Sequence, residues 1–410
     1  MHSSSFIPTR ASWPMATIDD SCDLISRGTA PNYDDDGEML AIGQRCVQVV
    51  GFNSSPARRH RDLGARVLSV KSGDVLLNST GIGTIGRSCI FDGEAGFTAD
   101  GHVTVLRAGP TLDPRWLNLL LQSHWGQQHL EARCFIGSTG QVELSRAELV
   151  RSWVPLPPLA EQRRIAEVLD ALDEQIAAEQ RQVTRLRTIA RATLVSELTA
   201  GQHPQVTLGE HLVGAPRNGY SPKEVEHWTG LIALGLGCLT TSGFEPRQLK
   251  NVPRGVVGNV RALLSDGDVL VSRANTRELV GMVGIYRTVG IECIYPDLMM
   301  RLRPDPDLLP EVLEQALRLP AVRRRIQALS QGTSESMVKI TGEVVASLRI
   351  PLPALSDQER IVRLVRATEA TVDQHMFELA KLHKLKSALM DDLLTGRVRV
   401  PVEAETLAEV

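Results

Sequence analysis

The 410-residue sequence has few aromatic side chains and no long apolar run. Aromatic residues make up 4% of it, which gives little support for binding single strands by base stacking. No stretch approaches the roughly 18–20 consecutive apolar residues of a membrane span, and the polar N-terminus lacks the features of a secretory signal. We therefore expect a cytoplasmic protein. With 42% hydrophobic residues, the chain is long enough for two or three domains.

The residue patterns of metal and catalytic sites are also missing. The six cysteines stand singly, and the ten histidines form no His-x-x-x-His or His-Glu-x-x-His group. The sequence contains neither a phosphate-binding Gly-x-x-x-x-Gly-Lys-Ser/Thr loop nor the Asn/Asp-Pro-Pro-Tyr motif of amino-methyltransferases. We expect reduced cysteines, no metal, no catalytic residue and no cofactor held by this chain.

One stretch, Gly81-Ile-Gly-Thr-Ile-Gly86, matches a dinucleotide-binding pattern. Such a loop must open a helix, whereas Arg87–Phe91 has the composition of a second strand. We instead expect a tight turn between strands, with Gly83 corresponding to Gly281 and Gly86 to Gly284 later in the chain.

The main feature of the sequence is a long internal repeat. The segment Pro155-Leu-Pro-Pro-Leu-Ala-Glu-Gln-Arg-Arg-Ile165 returns 196 residues later as Pro351-Leu-Pro-Ala-Leu-Ser-Asp-Gln-Glu-Arg-Ile361. Each copy follows a variable block with strand and turn signals. We predict an α+β fold with two similar recognition domains and two helical segments, at 1–154 (first domain), 155–201 (first helical segment), 202–350 (second domain), 351–397 (second helical segment) and 398–410 (tail).

Each helical segment is predicted to be one long helix, because it contains no Pro or Gly between its proline-rich start and Gly201 or Gly396. Apolar residues recur at alternating steps of four and three, which is typical of a coiled-coil seam. Glu179 and His375 interrupt the seam at equivalent places, so an antiparallel coiled coil would bring them into contact. The alternative is two separate amphipathic helices, each docked on its own domain.

The doubled Pro-Leu-Pro-x-Leu-x-x-Gln-x-Arg-Ile signature, with a heptad helix after it and a Gly-Asp-Val-Leu block before it, resembles the DNA specificity subunits of type I restriction-modification systems. The resemblance covers about residues 16–397. It implies two target-recognition domains, each reading one half of a bipartite asymmetric double-stranded DNA site, and helices that set the gap. It also implies two methyltransferase subunits that bind S-adenosylmethionine, and two restriction subunits that use ATP and Mg²⁺. Residues 1–16 have no counterpart in the second half, so we expect a flexible leader or a misassigned start.

A formal net charge of −3 argues against nucleic-acid binding by bulk charge, so DNA contacts must come from local patches. Loops offer arginines, amides and hydroxyls for phosphates and base edges. The Arg58–Arg61 cluster follows Asn53-Ser-Ser-Pro56 and is predicted to be turn-like. The hydroxyls of Ser138 and Thr139, and those of Thr333 and Ser334 in the second copy, could equally cap the next element. The candidate DNA-binding residues are Arg58, Arg59, Arg61, Asn78, Thr80, Ser138, Thr139, Gln141, Arg273, Asn275, Arg277, Thr333, Ser334 and Lys339.

Two other functions are compatible with the sequence. One is a coiled-coil scaffold that binds no DNA, which the negative charge favours. The other is a stand-alone nuclease or methyltransferase with duplicated domains, which the missing motifs disfavour. We therefore expect a non-catalytic subunit that recognises DNA and organises catalytic partners.

Overall fold

The computed structural model describes residues 5–61, 67–137, 142–200, 203–255, 257–332 and 337–401. The chain forms two compact units. The first comprises Met1–Gln180 and Phe377–Val410, and the second comprises Arg181–Met376. Each of the two long helices, Leu159–Ala200 and Leu355–Leu394, contributes residues to both units.

The first unit is built on two four-stranded sheets. In one, the strands are ordered Cys22–Arg27, Val103–Ala108, Val75–Asn78 and Ser88–Ile90, all antiparallel. In the other, Met39–Ile42 lies between Phe97–Ala99, which is parallel to it, and Arg58–Arg61, with Asn32–Tyr33 at the edge. The other strands are Met15–Thr17, Val47–Gln48, Gly51–Phe52, Phe135–Ile136, Glu143–Leu144 and Trp153–Pro155, and the short helices are Ile18–Ser21, Pro114–Gln122, His124–His129, Leu130–Cys134 (a π-helix) and Arg146–Arg151.

The second unit repeats this plan. Its main sheet has the order Arg217–Asn218, Met299–Leu302, Val269–Ser272 and Val283–Ile285. In its second sheet, Leu231–Leu234 lies between the antiparallel Leu249–Asn251 and the parallel Glu292–Ile294. The other strands are Gln205–Thr207, Leu239–Thr240, Gly243–Phe244, Ala274–Asn275, Val338–Lys339 and Arg349–Pro351, and the short helices are Leu208–His211, Leu236–Cys238, Val257–Ala262, Pro310–Arg318, Pro320–Leu329 and Gly342–Ala346.

A buried ion pair joins the central strand to its neighbour in each main sheet. Asp74, which is 1% exposed, accepts two 2.7 Å hydrogen bonds from Arg107. In the second unit Arg301 donates to Asp268 at 3.0 Å. Each aspartate also accepts a main-chain N–H, from Lys71 and from Ser265. The shared Gly-Asp-Val-Leu/Val sequence therefore places a charged anchor at the start of each central strand.

The repeated signature contains a buried glutamine that anchors each long helix. Gln162 accepts a hydrogen bond from the Asp113 N–H at 2.8 Å, and its amide donates to the carbonyls of Thr111 and Pro157. Gln358 makes the same three bonds, to the Leu309 N–H and the carbonyls of Asp307 and Pro353. Both side chains are fully buried. Each carboxamide thus joins the proline-rich lead-in to the segment before the helix at 114–122 or 310–318.

Within each unit, the two long helices contact each other in opposite directions. In the first unit Glu161 pairs with Arg399 and Asp173 with Lys386, so the numbering rises on one segment as it falls on the other. Apolar contacts join Leu172, Ile176 and Leu379. In the second unit Arg360 pairs with Glu197 at 2.7 Å. The core there contains Leu194, Leu198, Ile361, Val362 and Val365.

Glu179 and His375 both lie within these helices and are partly buried. Their contact stays a prediction, as do the proposed domain boundaries.

The N-terminal residues differ from expectation. Phe6 and Ile7 are 1% exposed and Trp13 is 7% exposed, all in the core of the first unit. The Phe6 N–H donates to the Trp153 carbonyl, and the Arg10 N–H donates to that of Thr395. The flexible-leader prediction is therefore wrong for residues 5–14, because three large apolar side chains bury themselves there.

The sequence predicts one helix over Pro114–Trp125 and another over Pro310–Gln331, and in the structure each is broken in two. The helix expected over Pro310–Gln331 stops at Arg318, because Pro320 cannot donate a helical hydrogen bond and starts a new helix instead. The helix expected over Pro114–Trp125 stops at Gln122, where Ser123 is extended and its hydroxyl accepts the Gly126 N–H to cap the next helix.

Replacing either buried glutamine should destabilise its own unit. Gln162→Ala and Gln358→Ala each leave a main-chain N–H and two carbonyls without their partner, at a cost of about 1–3 kcal/mol. Urea unfolding followed by circular dichroism would measure this. Gln182→Ala, an exposed glutamine on the first long helix, is the control and should change stability by less than about 0.5 kcal/mol. Equal effects in all three variants would contradict the anchoring role.

The cysteines are all free thiols, as expected, and five of the six are buried. Burial raises the pKa of Cys89 and of Cys293 to about 12 and that of Cys134 to about 11. A thiol must lose its proton to react quickly, so these three should resist iodoacetamide at pH 8 in the folded protein and react after unfolding. Mass spectrometry of alkylated peptides would test this, and rapid labelling of any of the three in the native state would refute it.

Candidate DNA interface

In the first unit, the end of the central strand lies beside a second loop that the sequence had singled out. Thr80 pairs with Glu143, and the Leu144 N–H donates to the Ser79 carbonyl at 2.8 Å. Residues 143–144 follow 138–141 after one intervening residue, so the fold brings the flanks of two candidate segments together. Ser138, Thr139 and Gln141 themselves lie outside the described residues.

The second unit has the same juxtaposition. Ala274–Asn275 pairs with Val338–Lys339, and the Ile340 N–H donates to the Arg273 carbonyl at 2.9 Å. The Lys339 side chain is exposed there, while Arg273 and Asn275 are half-buried. The Asn275 side-chain oxygen accepts the Thr276 N–H at 2.8 Å. Thr333 and Ser334 lie outside the described residues.

Asn78 and Thr80, neighbours in sequence, differ in exposure. Asn78 is fully buried, and its amide donates to the carbonyls of Gln44 and Thr84. In this conformation it offers no atom to DNA, which corrects its assignment as a contact residue. Thr80 is only half-buried, and its hydroxyl lies 2.7 Å from Nδ1 of His102.

The basic cluster Arg58–Arg61 is a strand, not a turn, because it pairs with Met39–Ile42 and with Asn32–Tyr33. Its three arginines are exposed. Arg58 stacks on Tyr33 at 3.8 Å, Arg59 donates to the Gly37 carbonyl, and Arg61 forms an ion pair with Asp34. Nearby Asp35 and Asp36 are also exposed. This acidic loop offsets part of the positive charge of the strand.

The turn after each central strand is hydrogen-bonded identically in the two units. In the first, main-chain N–H groups of Thr84 and Ile85 donate to Gly81, and that of Gly86 donates to Asn78. In the second, those of Leu279 and Val280 donate to Thr276, and that of Gly281 donates to Ser272. We call residues 81–86 and 276–281 the strand-end turns.

These bonds correct the glycine correspondence. Gly86 (φ +80°) matches Gly281 (φ +72°), whereas Gly284 lies in the strand Val283–Ile285. Strand Ser88–Ile90 follows the first turn, with no helix opening from it, so the dinucleotide-like pattern is a turn between strands, as expected.

Side chains from the following helices hold the strand-end turns. Gln127 donates to the Gly86 carbonyl at 3.0 Å. In the second unit Arg323 donates to the carbonyls of Val280 and Glu278, at 2.6 and 2.8 Å, and burial lowers the pKa of its guanidinium. Arg277, a candidate DNA contact, donates to Gln327 and Ser330 at the end of the same helix. Its guanidinium is thus held by protein groups in this conformation.

Two exposed tips in the first unit were missed from the sequence. Ile82 on the strand-end turn is 89% exposed, and Val50 on the hairpin of Val47–Gln48 and Gly51–Phe52 is 97% exposed. The matching hairpin of the second unit carries Thr241 and Ser242 at its tip, which are also exposed. The sequence signal for the first tip was present, since Ile82 stands between two glycines.

Among the residues that the structure describes, no three His, Cys, Asp or Glu side chains are grouped so as to hold a metal ion. Within the same residues, no helix has both the length and the apolar character needed to cross a membrane.

Comparison with known proteins agrees with the resemblance. Residues 68–187 match the family model of the type I restriction modification DNA specificity domain. The EcoKI specificity subunit of Escherichia coli K12 is 27% identical over 274 residues, which are 62% of this chain and 59% of that protein. The putative MjaX specificity subunit of Methanocaldococcus jannaschii is 23% identical over 335 residues, which are 77% of this chain and 76% of that protein. The predicted similarity to type I specificity subunits is confirmed.

Solved structures share the fold. A chain from a structure on the assembly and conformational transition of a type I restriction-modification system has a TM-score of 0.60 at 19% identity, covering 96% of this chain and all of that one. The S subunit of such a system from M. genitalium has a TM-score of 0.53 at 14% identity, covering 94% and 97%. The mixed helix and strand content with a long helix is therefore that of these subunits.

Removing the arginine that holds the second strand-end turn should loosen that turn alone. Arg323→Ala deletes two donors to its carbonyls, so the amides of residues 279–281 should exchange hydrogen faster, while those of 84–86 should not change. Hydrogen exchange with mass spectrometry would show this. Arg324→Ala, an exposed neighbour on the same helix, is the control, and equal exchange in the two variants would contradict the anchoring role of Arg323.

Proposed function

We propose that this chain is the sequence-specific DNA-binding subunit of a type I restriction-modification complex and that it reads a bipartite asymmetric site. One observation carries the proposal: the two units share a hydrogen-bonded framework but have different side chains at corresponding positions in and beside the strand-end turns. A common framework suits a common target, double-stranded DNA, and differing tips suit two different half-sites.

The positions that support this proposal lie around the strand-end turns. Where the first unit has the buried Ser79 and the exposed Ile82, the second has the half-buried Arg273 and Arg277, as the matching main-chain bonds establish. Hydroxyls and arginines bind phosphates, and arginine also binds guanine. The candidate residues Thr80, Arg273, Asn275 and Lys339 stay in the proposed interface. Arg58, Arg59 and Arg61 are proposed as backbone contacts only, because their strand lies beside the acidic loop.

We further propose that the two long helices form one antiparallel coiled coil that sets the gap between half-sites, with Glu179 near His375. The helix contacts within each unit support this arrangement. Polar residues in such a seam fix its register.

The subunit is proposed to be non-catalytic and to dock two methyltransferase and two restriction subunits in the cytoplasm. S-adenosylmethionine, ATP and Mg²⁺ would then be bound by those partners. The names of the relatives, all specificity subunits, support this role.

The proposal can be tested by co-expressing the chain with the methyltransferase subunit of its own system and mapping adenine methylation across host DNA by single-molecule sequencing. We expect a split motif with a fixed gap. Exchanging residues 202–350 for those of another specificity subunit should change one half of the motif and leave the other unchanged.

Each other outcome would count against the proposal. An unsplit motif would exclude two-domain readout, and a stable complex without methylation would favour a scaffold. Methylation or cleavage by the purified chain alone would show an independent enzyme.

A further inference from the structure

The first strand-end turn is rigidly held, although its tip is open to solvent. Thr84 donates to the Gln44 side chain at 2.7 Å, and Asn78 donates to the Thr84 carbonyl at 3.2 Å. Gln127 adds the bond to the Gly86 carbonyl. The turn is therefore anchored from three sides by side chains of its own unit.

Ile82 is exposed at the tip of this anchored turn. Gly81 and Gly83 flank it with φ of +103° and +73°, a backbone shape that glycine adopts without strain. An isoleucine that is 89% exposed gains little from burial within its own unit. Single exposed apolar residues are common, so the exposure of Ile82 indicates a binding role only together with the residues around the turn.

Two chain segments around Ile82 lack acidic residues, and Glu143, which pairs with the neighbouring Thr80, forms an ion pair with Arg27. Residues 39–61 contain no Asp or Glu, and neither do residues 75–91. Arg87 directly follows the turn, and Arg45 follows Gln44, whose side chain accepts from Thr84. Gln122 donates to the carbonyls of both Val49 and Ser88, which places the hairpin tip with Val50 on the same edge. An edge with arginines and two apolar tips, whose acid Glu143 is paired with Arg27, complements the phosphates and base edges of DNA.

Comparison between the units shows which part of the turn varies. The main-chain bonds match Ile82 with Arg277 and Gly83 with Glu278, on frameworks that are otherwise alike. In the major groove, apolar side chains contact the methyl group of thymine, whereas arginine pairs with guanine. This position is an exposed apolar tip in the first unit, whereas in the second it holds an arginine that binds the end of its own helix. The two turns therefore present different surfaces, as two different half-sites would require.

We propose that Ile82 is a specificity-determining residue of the first unit and contacts the 5-methyl group of a thymine in its half-site. This inference rests on the proposed DNA-binding function. The anchored turn sets the position of the side chain before DNA arrives, so little conformational entropy is lost on binding.

The test compares thymidine with deoxyuridine, which lacks only the methyl group. The recognised site is first identified by methylation mapping, and each thymine of its half-sites is then replaced singly in synthetic duplexes. For the complex of wild-type chain and methyltransferase, one replacement should weaken binding about fourfold, the factor for burying roughly one methyl group. With Ile82→Ala, the same replacement should have no effect, and the two duplexes should bind equally.

Val398→Ala is the control, because Val398 is another exposed aliphatic residue of the first unit, at 48%. Its complex should keep the wild-type preference for thymidine. A wild-type preference that persists in Ile82→Ala would overturn the assignment, as would the absence of any thymine whose replacement matters. Loss of complex assembly in Ile82→Ala would show that the tip binds the methyltransferase protein instead. If the wild-type complex has no specific site, the proposed function fails as well.

Discussion

The rest of the structure depends on one buried side chain in each unit, the glutamine of the repeated signature. Gln162 and Gln358 each satisfy an N–H and two carbonyls at the junction between domain and long helix. Proline has no main-chain N–H, so such a junction has few hydrogen-bond donors. A carboxamide supplies two donor hydrogens and an acceptor together. Because the bonds are the same in both units, each helix leaves its unit from the same fixed point. For the proposed function this matters, because a unit that moved freely on its helix could not hold a fixed spacing between half-sites.

The second constraint is the separation of framework from surface within each unit. The Asp74–Arg107 pair and its counterpart Asp268–Arg301 lie at the start of each central strand, whereas the strand-end turns follow the other end of that strand. The main-chain bonds of the first turn join Gly81, Thr84, Ile85, Gly86 and Asn78, and the aliphatic side chain of Ile82 takes no part in them. A change of side chain at position 82 therefore leaves the main-chain bonds of the turn in place, and its effect should add independently to that of framework changes. This arrangement lets one fold present an apolar tip in one unit and charged or hydroxyl-bearing tips in the other.

The sequence could predict the features whose ends are marked by nearby residues. Prolines and glycines bounded the long helices, and the repeat identified corresponding strands. Features that depend on long-range pairing were missed. Arg58–Arg61 is a strand because Met39–Ile42 pairs with it, and no local signal contains that partner. Asn78 has a side chain of the kind that contacts DNA, yet its amide is buried and donates to the carbonyls of Gln44 and Thr84. The glycine correspondence was wrong because the numbering offset between the two copies changes just before the turn. Only the hydrogen bonds of the turn show this change. Residues 5–14 have no counterpart in the second half of the chain, so comparing the two copies could not predict where they pack.

The net charge of −3 illustrates why composition misleads for this protein. Aspartates and glutamates are distributed so that residues 39–61 and 75–91 have none, whereas Asp34, Asp35 and Asp36 stand together beside the arginine strand. Phosphates interact with charges within about 10 Å at moderate salt, so acids elsewhere in the chain are largely screened from them. The arginines of the two segments without acids keep their attraction for phosphates, and those beside the acidic loop lose part of it. Under the proposed function, weak attraction between this chain and the DNA backbone leaves discrimination between sequences to the few side chains on the tips.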